Sequence, residues 1–234
     1  MTIRLLAIET ATPACSAALY IDEDIEERHA LAPRQHAALI LPMIESLLVE
    51  AELKPGQLDA VAFGRGPGSF TGVRIAASVV QGIALGADLP VVAVSTLAVL
   101  AAGALRETGG EGILAALDAR MDEVYWAMYR ADAGGLPDLI GEESVCKPES
   151  AHMPAEGSWV GAGSGWDSYG SVLADHAGDC VVRLLPDLEP HAHDVATLGV
   201  NRLGRNEVIA PEAAVPVYLR DNVAQKPKTR IREK

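Results

Sequence analysis

A chain of 234 residues, 49% of them hydrophobic, has enough apolar surface to fold throughout into one compact body, single or bilobal. Its longest apolar stretches, such as Leu97–Leu105, are interrupted by Gly or charge well short of the ~20 residues a bilayer span needs, and its start runs directly into a strand-like segment without a signal peptide's basic region; both features point to the cytoplasm, away from membranes. Formal net charge is −13, and five Lys or Arg against Glu233 in the last nine residues leave −17 on residues 1–225, so the acidic body is a poor nucleic-acid binder and any RNA falls to another subunit.

The first hundred residues predict β-β-β-α-β-α-β-α. Leu5–Ile8, Ser16–Tyr20 and Ile25–Leu31 are three short strands, with Asp22-Glu23-Asp24 as the second turn. A helix over Gln35–Leu53 is stopped by Pro55-Gly56. Leu58–Phe63 is a buried strand, Thr71–Leu85 a helix, Val91–Val94 a strand, and Ser95 or Thr96 caps a third helix. The second half repeats this loosely: strands at Ile113–Leu117, Glu123–Tyr129, Leu139–Cys146 and Trp159–Ala162, then helices at Ser168–Ala177 and His193–Leu203. The expected architecture is α/β with a first lobe at 1–106, a second at 107–225 and a basic tail at 226–234, the interlobe cleft being the natural ligand site.

Several residues are candidates for chemistry. Glu9, Thr10 and Thr12, in the turn after the first strand, together with Asp118 in the second half, are of the type that directs carboxylate, hydroxyl and amide groups at a nucleotide phosphate and its magnesium; an ordinary polar hairpin explains the turn equally well. The run Gly64-Arg65-Gly66-Pro67-Gly68-Ser69-Phe70-Thr71-Gly72-Val73-Arg74 either cradles an anion at a helix start or permits close packing. It lacks the Gly-Lys-Ser/Thr end of a nucleotide P-loop, and the small residues Gly72, Ala76, Gly82 and Gly86 suit a helix packed on nearly all sides. Gly161-Ala162-Gly163-Ser164-Gly165 misses the dinucleotide fingerprint because Trp166 stands where the last Gly belongs. His191, His193 and Asp194 are a weak metal pattern at a helix start, Cys15, Cys146 and Cys180 are spaced as three reduced thiols, and no protease motif or activated nucleophile is present.

Leu6-Ala7-Ile8-Glu9-Thr10-Ala11 with Ala14-Cys15-Ser16, the Gly66–Arg74 block, Asp118–Tyr125 and Val215-Pro216-Val217-Tyr218-Leu219-Arg220 together resemble the TsaB (YeaZ) family, in family order across residues 6–220. Glu9 departs from the Asp of many relatives. The resemblance implies two tandem ribonuclease-H-like lobes of the actin/Hsp70/sugar kinase (ASKHA) superfold and kinship with TsaD, which transfers the threonylcarbamoyl group to the adenosine adjoining the tRNA anticodon. TsaD-type proteins hold metal through a His-x-x-x-His pair where this chain has Thr96 and Leu100, so the resemblance implies no metal site of that kind, no catalysis by this chain alone, and a supporting role beside TsaD and the ATPase TsaE. No cofactor is expected to bind tightly, ATP or ADP belonging at the interface of the complex, and tRNA is reached only through that complex. The rival reading is an independent ATP-dependent phosphotransferase or ATPase of the same superfold.

The partner face is expected on the first helix. At ~100° per residue its apolar residues, Leu39, Ile40, Met43, Ile44 and Leu47 among them, cover about 200° of arc, wider than one sheet contact requires. Gly72 and Ala76 of the next helix are expected to join them. Without TsaD the same surface is expected to make a homodimer. The basic tail is either a solvated end or an RNA or partner contact.

Overall fold

The computed structural model describes residues 2–220; the tail from Lys226 to Lys234 lies outside them. Among the described residues, ten strands form two five-stranded sheets of the same topology. In the first, β1 (Arg4–Glu9), β2 (Ala14–Ile21), β3 (Asp24–Leu31), β4 (Ala60–Gly64) and β5 (Val91–Val94) lie in the order β3-β2-β1-β4-β5. In the second, β6 (Gly112–Arg120), β7 (Glu123–Ala131), β8 (Pro137–Cys146), β9 (Trp159–Ala162) and β10 (Val181–Leu185) lie in the order β10-β9-β6-β7-β8. In each, the first three strands are antiparallel and the last two join in parallel beside the first. β10 has no counterpart in the sequence reading.

Strand alternation sorts the apolar side chains into two cores. Leu6 and Ile8 of β1, with Val61 and Phe63 of β4, face α1 (His36–Glu50) and α2 (Phe70–Ala87). Leu5, Ala7, Ala60 and Ala62 face the opposite way, into a central layer holding α3 (Thr96–Thr108) and α5 (Ala192–Gly204). β1 and β4 are covered on both faces, which is why they read as unbroken apolar runs. Every residue of α3 from Thr96 to Leu105 is buried, as expected of an apolar helix held between layers. The outer face of the second sheet carries a single helix, α4 (Ser164–Ala177), over a core built on Trp126, Trp159 and Trp166. Gly161 makes that packing possible, because a Cβ there would lie 2.6 Å from the Trp166 ring.

The two halves expected from sequence are interleaved through their last helices. α3 follows the first sheet in the chain but packs on β6 and β7 of the second, whereas α5 follows the second sheet and packs on β1, β2 and β4 of the first. Beyond α5, Ile209 bridges to Val91 and Ala214 enters the first outer core. The halves 1–106 and 107–225 therefore exchange their last helices, because each sheet hides its inner face under the other half's helix.

Candidate functional site

The turn after β1 is built for packing. Glu9 is 1% exposed; its Oε1 accepts from the Ala11 N–H at 2.7 Å and its Oε2 from the Thr96 hydroxyl at 3.3 Å. Burial pushes its carboxyl up to about 7, against the pull of these donors. Thr10, wholly buried, donates its hydroxyl to the Gly72 carbonyl at 2.8 Å. The glycines of the following loop answer this crowding: a Cβ at Gly64 would fall 1.8 Å from Glu9 Oε2, at Gly68 2.5 Å from the Ala11 carbonyl oxygen, and at Gly72 2.0 Å from that of Thr10. Ser69 N–H donates to the Ala11 carbonyl at 2.7 Å, and the Ser69 hydroxyl caps the Gly72 N–H at 3.4 Å. The loop geometry is thus that of close packing rather than an anion cradle.

Of the four residues expected at a nucleotide, only Thr12 and Asp118 line the interlobe cleft, a cavity of about 700 Å³. Glu9 and Thr10 point into the protein, away from it, because the carboxylate at the end of β1 is sealed by Gly64 and Thr96. Asp118 accepts from the Arg120 N–H and guanidinium, each at 2.8 Å. Arg34, Phe70, Tyr125, Ser164, Tyr218 and Arg220 also face the cleft; all but Arg34 lie in runs singled out in the sequence, though none is assigned there to the cleft wall. Behind it, Arg65 of the Gly-rich loop pairs with Glu143 of β8 at 3.4 Å, and Glu143 accepts from the buried Tyr129 hydroxyl at 3.0 Å.

The residues expected at the partner face are unequally placed by the fold. Ile40, Ile44 and Leu47 are buried in the first sheet's outer core, and so are Gly72 and Ala76, so none offers surface to another chain; Leu39 and Met43 are partly covered. The apolar arc of α1 is wide because one side rests on β2 while the rest faces α2 and solvent. α2, for its part, is not packed all round. Val73, Ala76, Ala77, Val80 and Ala84 face inward, yet Phe70 is 62% and Leu85 57% exposed, and nothing stands within 4 Å of a Cβ at Gly82 or Gly86. By length and composition alone α2 would be apolar enough to cross a membrane; here one stripe of it is docked on the sheet. Between the helices runs an apolar groove of about 370 Å³, lined by Ala37, Leu41, Phe70, Arg74, Ile75 and Val79 among others. Leu41, which lines the groove from α1, is 55% exposed.

The weak metal pattern at α5 is engaged within the chain. Asp194 receives both arms of Arg106 at 3.0 Å, and His191 Nδ1 lies 3.0 Å from Glu27 Oε2 while its ring stacks on His29 with centroids 4.2 Å apart. Thr96 spends its hydroxyl on Glu9, and Leu100 packs wholly inside the central core.

The family model described as "TsaD: tRNA N6-adenosine threonylcarbamoyltransferase" matches residues 29–228. The chain is 44% identical to the tRNA threonylcarbamoyladenosine biosynthesis protein TsaB of Escherichia coli, over 96% of this chain and 97% of that one. It belongs to the TsaB (YeaZ) family. The TsaB of Haemophilus influenzae is 37% identical over 96% of both chains. A solved structure described as YeaZ from Pseudomonas aeruginosa superposes with a TM-score of 0.87 at 45% identity, covering 93% of this chain and all of that one. The TsaB-family blocks now have places in space: the Glu9 turn and the Gly66–Arg74 loop interlock, and Asp118–Tyr125 and Val215–Arg220 meet at the cleft mouth.

Proposed function

We propose that the chain serves the biosynthesis of threonylcarbamoyladenosine in tRNA as a non-catalytic subunit that binds a TsaD-type transferase through the α1–α2 groove. The observation that carries the pathway is identity with E. coli TsaB across nearly the whole of both chains. The groove supports the partner reading: it is apolar, exposed, and fringed by one cation, Arg74. Since the TsaD model itself matches this chain, such a partner is a related fold with corresponding helices, and pairing like face to like face makes a four-helix contact. Leu100, an aliphatic side chain in the core where TsaD-type proteins place a metal ligand, supports the non-catalytic role. A phosphotransferase reading gains nothing from Glu9, which is sealed from the cleft.

The two sheets of equal topology around a cleft support the reading of tandem ribonuclease-H-like lobes of the ASKHA superfold. On the same reading the TsaE-type ATPase and ATP or ADP join at the interface of the complex, tRNA is held by the assembly, and the work is cytoplasmic. Alone, the chain covers its groove by forming a homodimer.

The test is to place Arg at two groove positions that the fold leaves exposed, Leu41→Arg with Ser78→Arg. The expected result is a folded protein whose affinity for the TsaD-type subunit of the same organism falls by about 100-fold or more and which no longer supports tRNA modification in the reconstituted system. Full affinity in the folded double variant would refute the proposal.

A further inference from the structure

We infer that residues 217–220 form a latch coupling the α1–α2 groove to the interlobe cleft, so that a subunit seated in the groove and an ordered latch stabilise each other. This rests on the groove being the partner face. The latch begins on the first half, where the Val217 N–H donates to the Arg65 carbonyl at 2.8 Å and the Val217 carbonyl passes so close to Gly66 that a Cβ there would be 3.0 Å away. Tyr218 follows, its ring centroid 6.1 Å from that of Phe70. The Arg74 guanidinium sits over both rings, 3.2 Å from the Phe70 centroid and 5.3 Å from that of Tyr218. Arg220 then reaches the second half: it pairs with Glu123 and lies 3.3 Å from the Arg120 carbonyl oxygen and 3.5 Å from Met121 Sδ. Four residues thus span the mouth of the cleft, and two of them, Tyr218 and Arg220, form part of its wall.

The anchor on the far side is a strained turn. Arg120, Met121 and Asp122 take φ of 61°, 59° and 58°, three successive left-handed residues with side chains, a conformation L-residues avoid unless their surroundings hold it. Asp118 and Arg220 are what hold it here, each bonding Arg120. On the near side Phe70 and Arg74 belong to the groove as well as to the latch. Phe70 lines groove and cleft alike, so a chain covering the groove removes water from the Arg74–ring contact. A cation over an aromatic face gains strength when desolvated. Covering the groove therefore tightens Phe70, Arg74 and Tyr218 together, and by linkage a fixed latch raises affinity for whatever covers the groove.

The latch is tested in the full chain with and without saturating TsaD-type subunit, by hydrogen exchange at the Val217 amide and by the affinity of Arg220→Ala, a residue outside the groove. Exchange at Val217 is expected to slow in the complex, and Arg220→Ala to bind about fivefold more weakly. Unchanged exchange at Val217, which needs no variant and so no assurance of folding, overturns the latch; so does wild-type affinity in a folded Arg220→Ala chain. Leu41→Arg, measured alongside, separates the two readings. If it loses binding while the latch tests fail, the groove stands and the coupling falls. If it binds fully while Arg220→Ala does not, the groove reading fails and the strap is itself a contact, which also removes the coupling.

Discussion

The two sheets share strand order and direction, and the structures they carry on their outer faces could hardly differ more. Between β3 and β4 the first half inserts α1; at the equivalent point, between β8 and β9, the second half has only a loop with one short 3-10 turn over Pro148–Ser150. α2 and α4 are equivalents, each lying between the fourth and fifth strands of its sheet. α2 shows Phe70, Leu85 and a glycine edge to solvent, whereas α4 shows mainly polar residues, Asp167, Ser168, Ser171, Asp175 and His176, with Val172 its one exposed large apolar side chain, and seals Trp166 beneath it. One topology thus supplies a closed face and an open one, and the open face is where a partner has something to bind.

Four measurements would break or sharpen that contrast. The largest effect is expected at the closed face: Trp166→Ala removes a buried indole that donates to the Leu114 carbonyl at 2.8 Å, and should cost about 3–5 kcal/mol in urea unfolding, against less than ~0.5 kcal/mol for Leu85→Ser on the open face. Next come the binding variants. Arg at Ser171 and Asp175 of α4 should leave affinity for the TsaD-type subunit within about twofold of wild type, while Leu41→Arg with Ser78→Arg should lower it by about 100-fold or more; equal losses from both pairs would dissolve the distinction between the faces.

The third compares the ends of β1 and β6, where Glu9 is sealed and Asp118 opens to the cleft. With its folded pKa raised from 4.5 to about 7, Glu9 makes the folded state bind a proton more tightly than the unfolded chain. The stability this gives is whole below the unfolded value and is lost as pH rises through about 7. Glu9→Gln, neutral at every pH, should therefore stabilise the protein by up to about 3 kcal/mol at pH 8 and by little at pH 4.5. A flat difference between Glu9 and Gln across this range would mean that the carboxyl is not buried as described.

The smallest effect is expected where each sheet's edge is tied to the exchanged helix. Glu27 on β3 meets His191, and Arg183 on β10 meets Glu107 of α3 at 3.3 Å. The bond to Glu27 raises the His191 pKa, and although burial pulls that of Glu27 upward, the His191 bond and the His193 N–H leave it lowered. The His191 contribution is present below its usual pKa and lost as pH rises through the raised one; that of Glu27 is present above its usual pKa and lost on acidification. His191→Ala should thus cost most near pH 5–6, under ~1 kcal/mol, and less at pH 8. Arg183→Ala, in a pair about half exposed on both sides, should change thermal stability negligibly at either pH.

The sheets were legible where short apolar runs met turn signals: Leu5–Ile8 and Val91–Val94 fall on observed strands, and Leu58–Phe63 overlaps β4 from Ala60 onward. β10 was not, since Val181–Leu185 is a five-residue edge strand paired on one side only, with its three central residues exposed and no alternation to read. α4 begins at Ser164 and not at Ser168 because it kinks at Tyr169, where φ is −132°, so only the part beyond the kink has a regular helical pattern. Pro42 inside α1 argues locally for a break, yet Ile40, Ile44 and Leu47 lock into the sheet and carry the helix through. At the site, periodicity revealed that α1 had more apolar surface than one contact needs; it did not reveal which residues the chain itself would cover. Tyr218 and Arg220 belonged to a motif noted in the sequence, but their place across the cleft depends on contacts about a hundred residues away at Arg120 and Glu123.

The exchange of α3 and α5 bears on how the chain comes into being. The first sheet has all its strands once Val94 is made, but the helix that covers its inner face ends at Gly204. At roughly 5–20 residues per second, the ribosome needs on the order of 10 s to supply that cover. Through that interval Leu5, Ala7, Ala60 and Ala62 are open to solvent or to a chaperone. A nascent chain halted before residue 192 would hold a sheet with one bare apolar face, and the first half would settle only as synthesis nears its close.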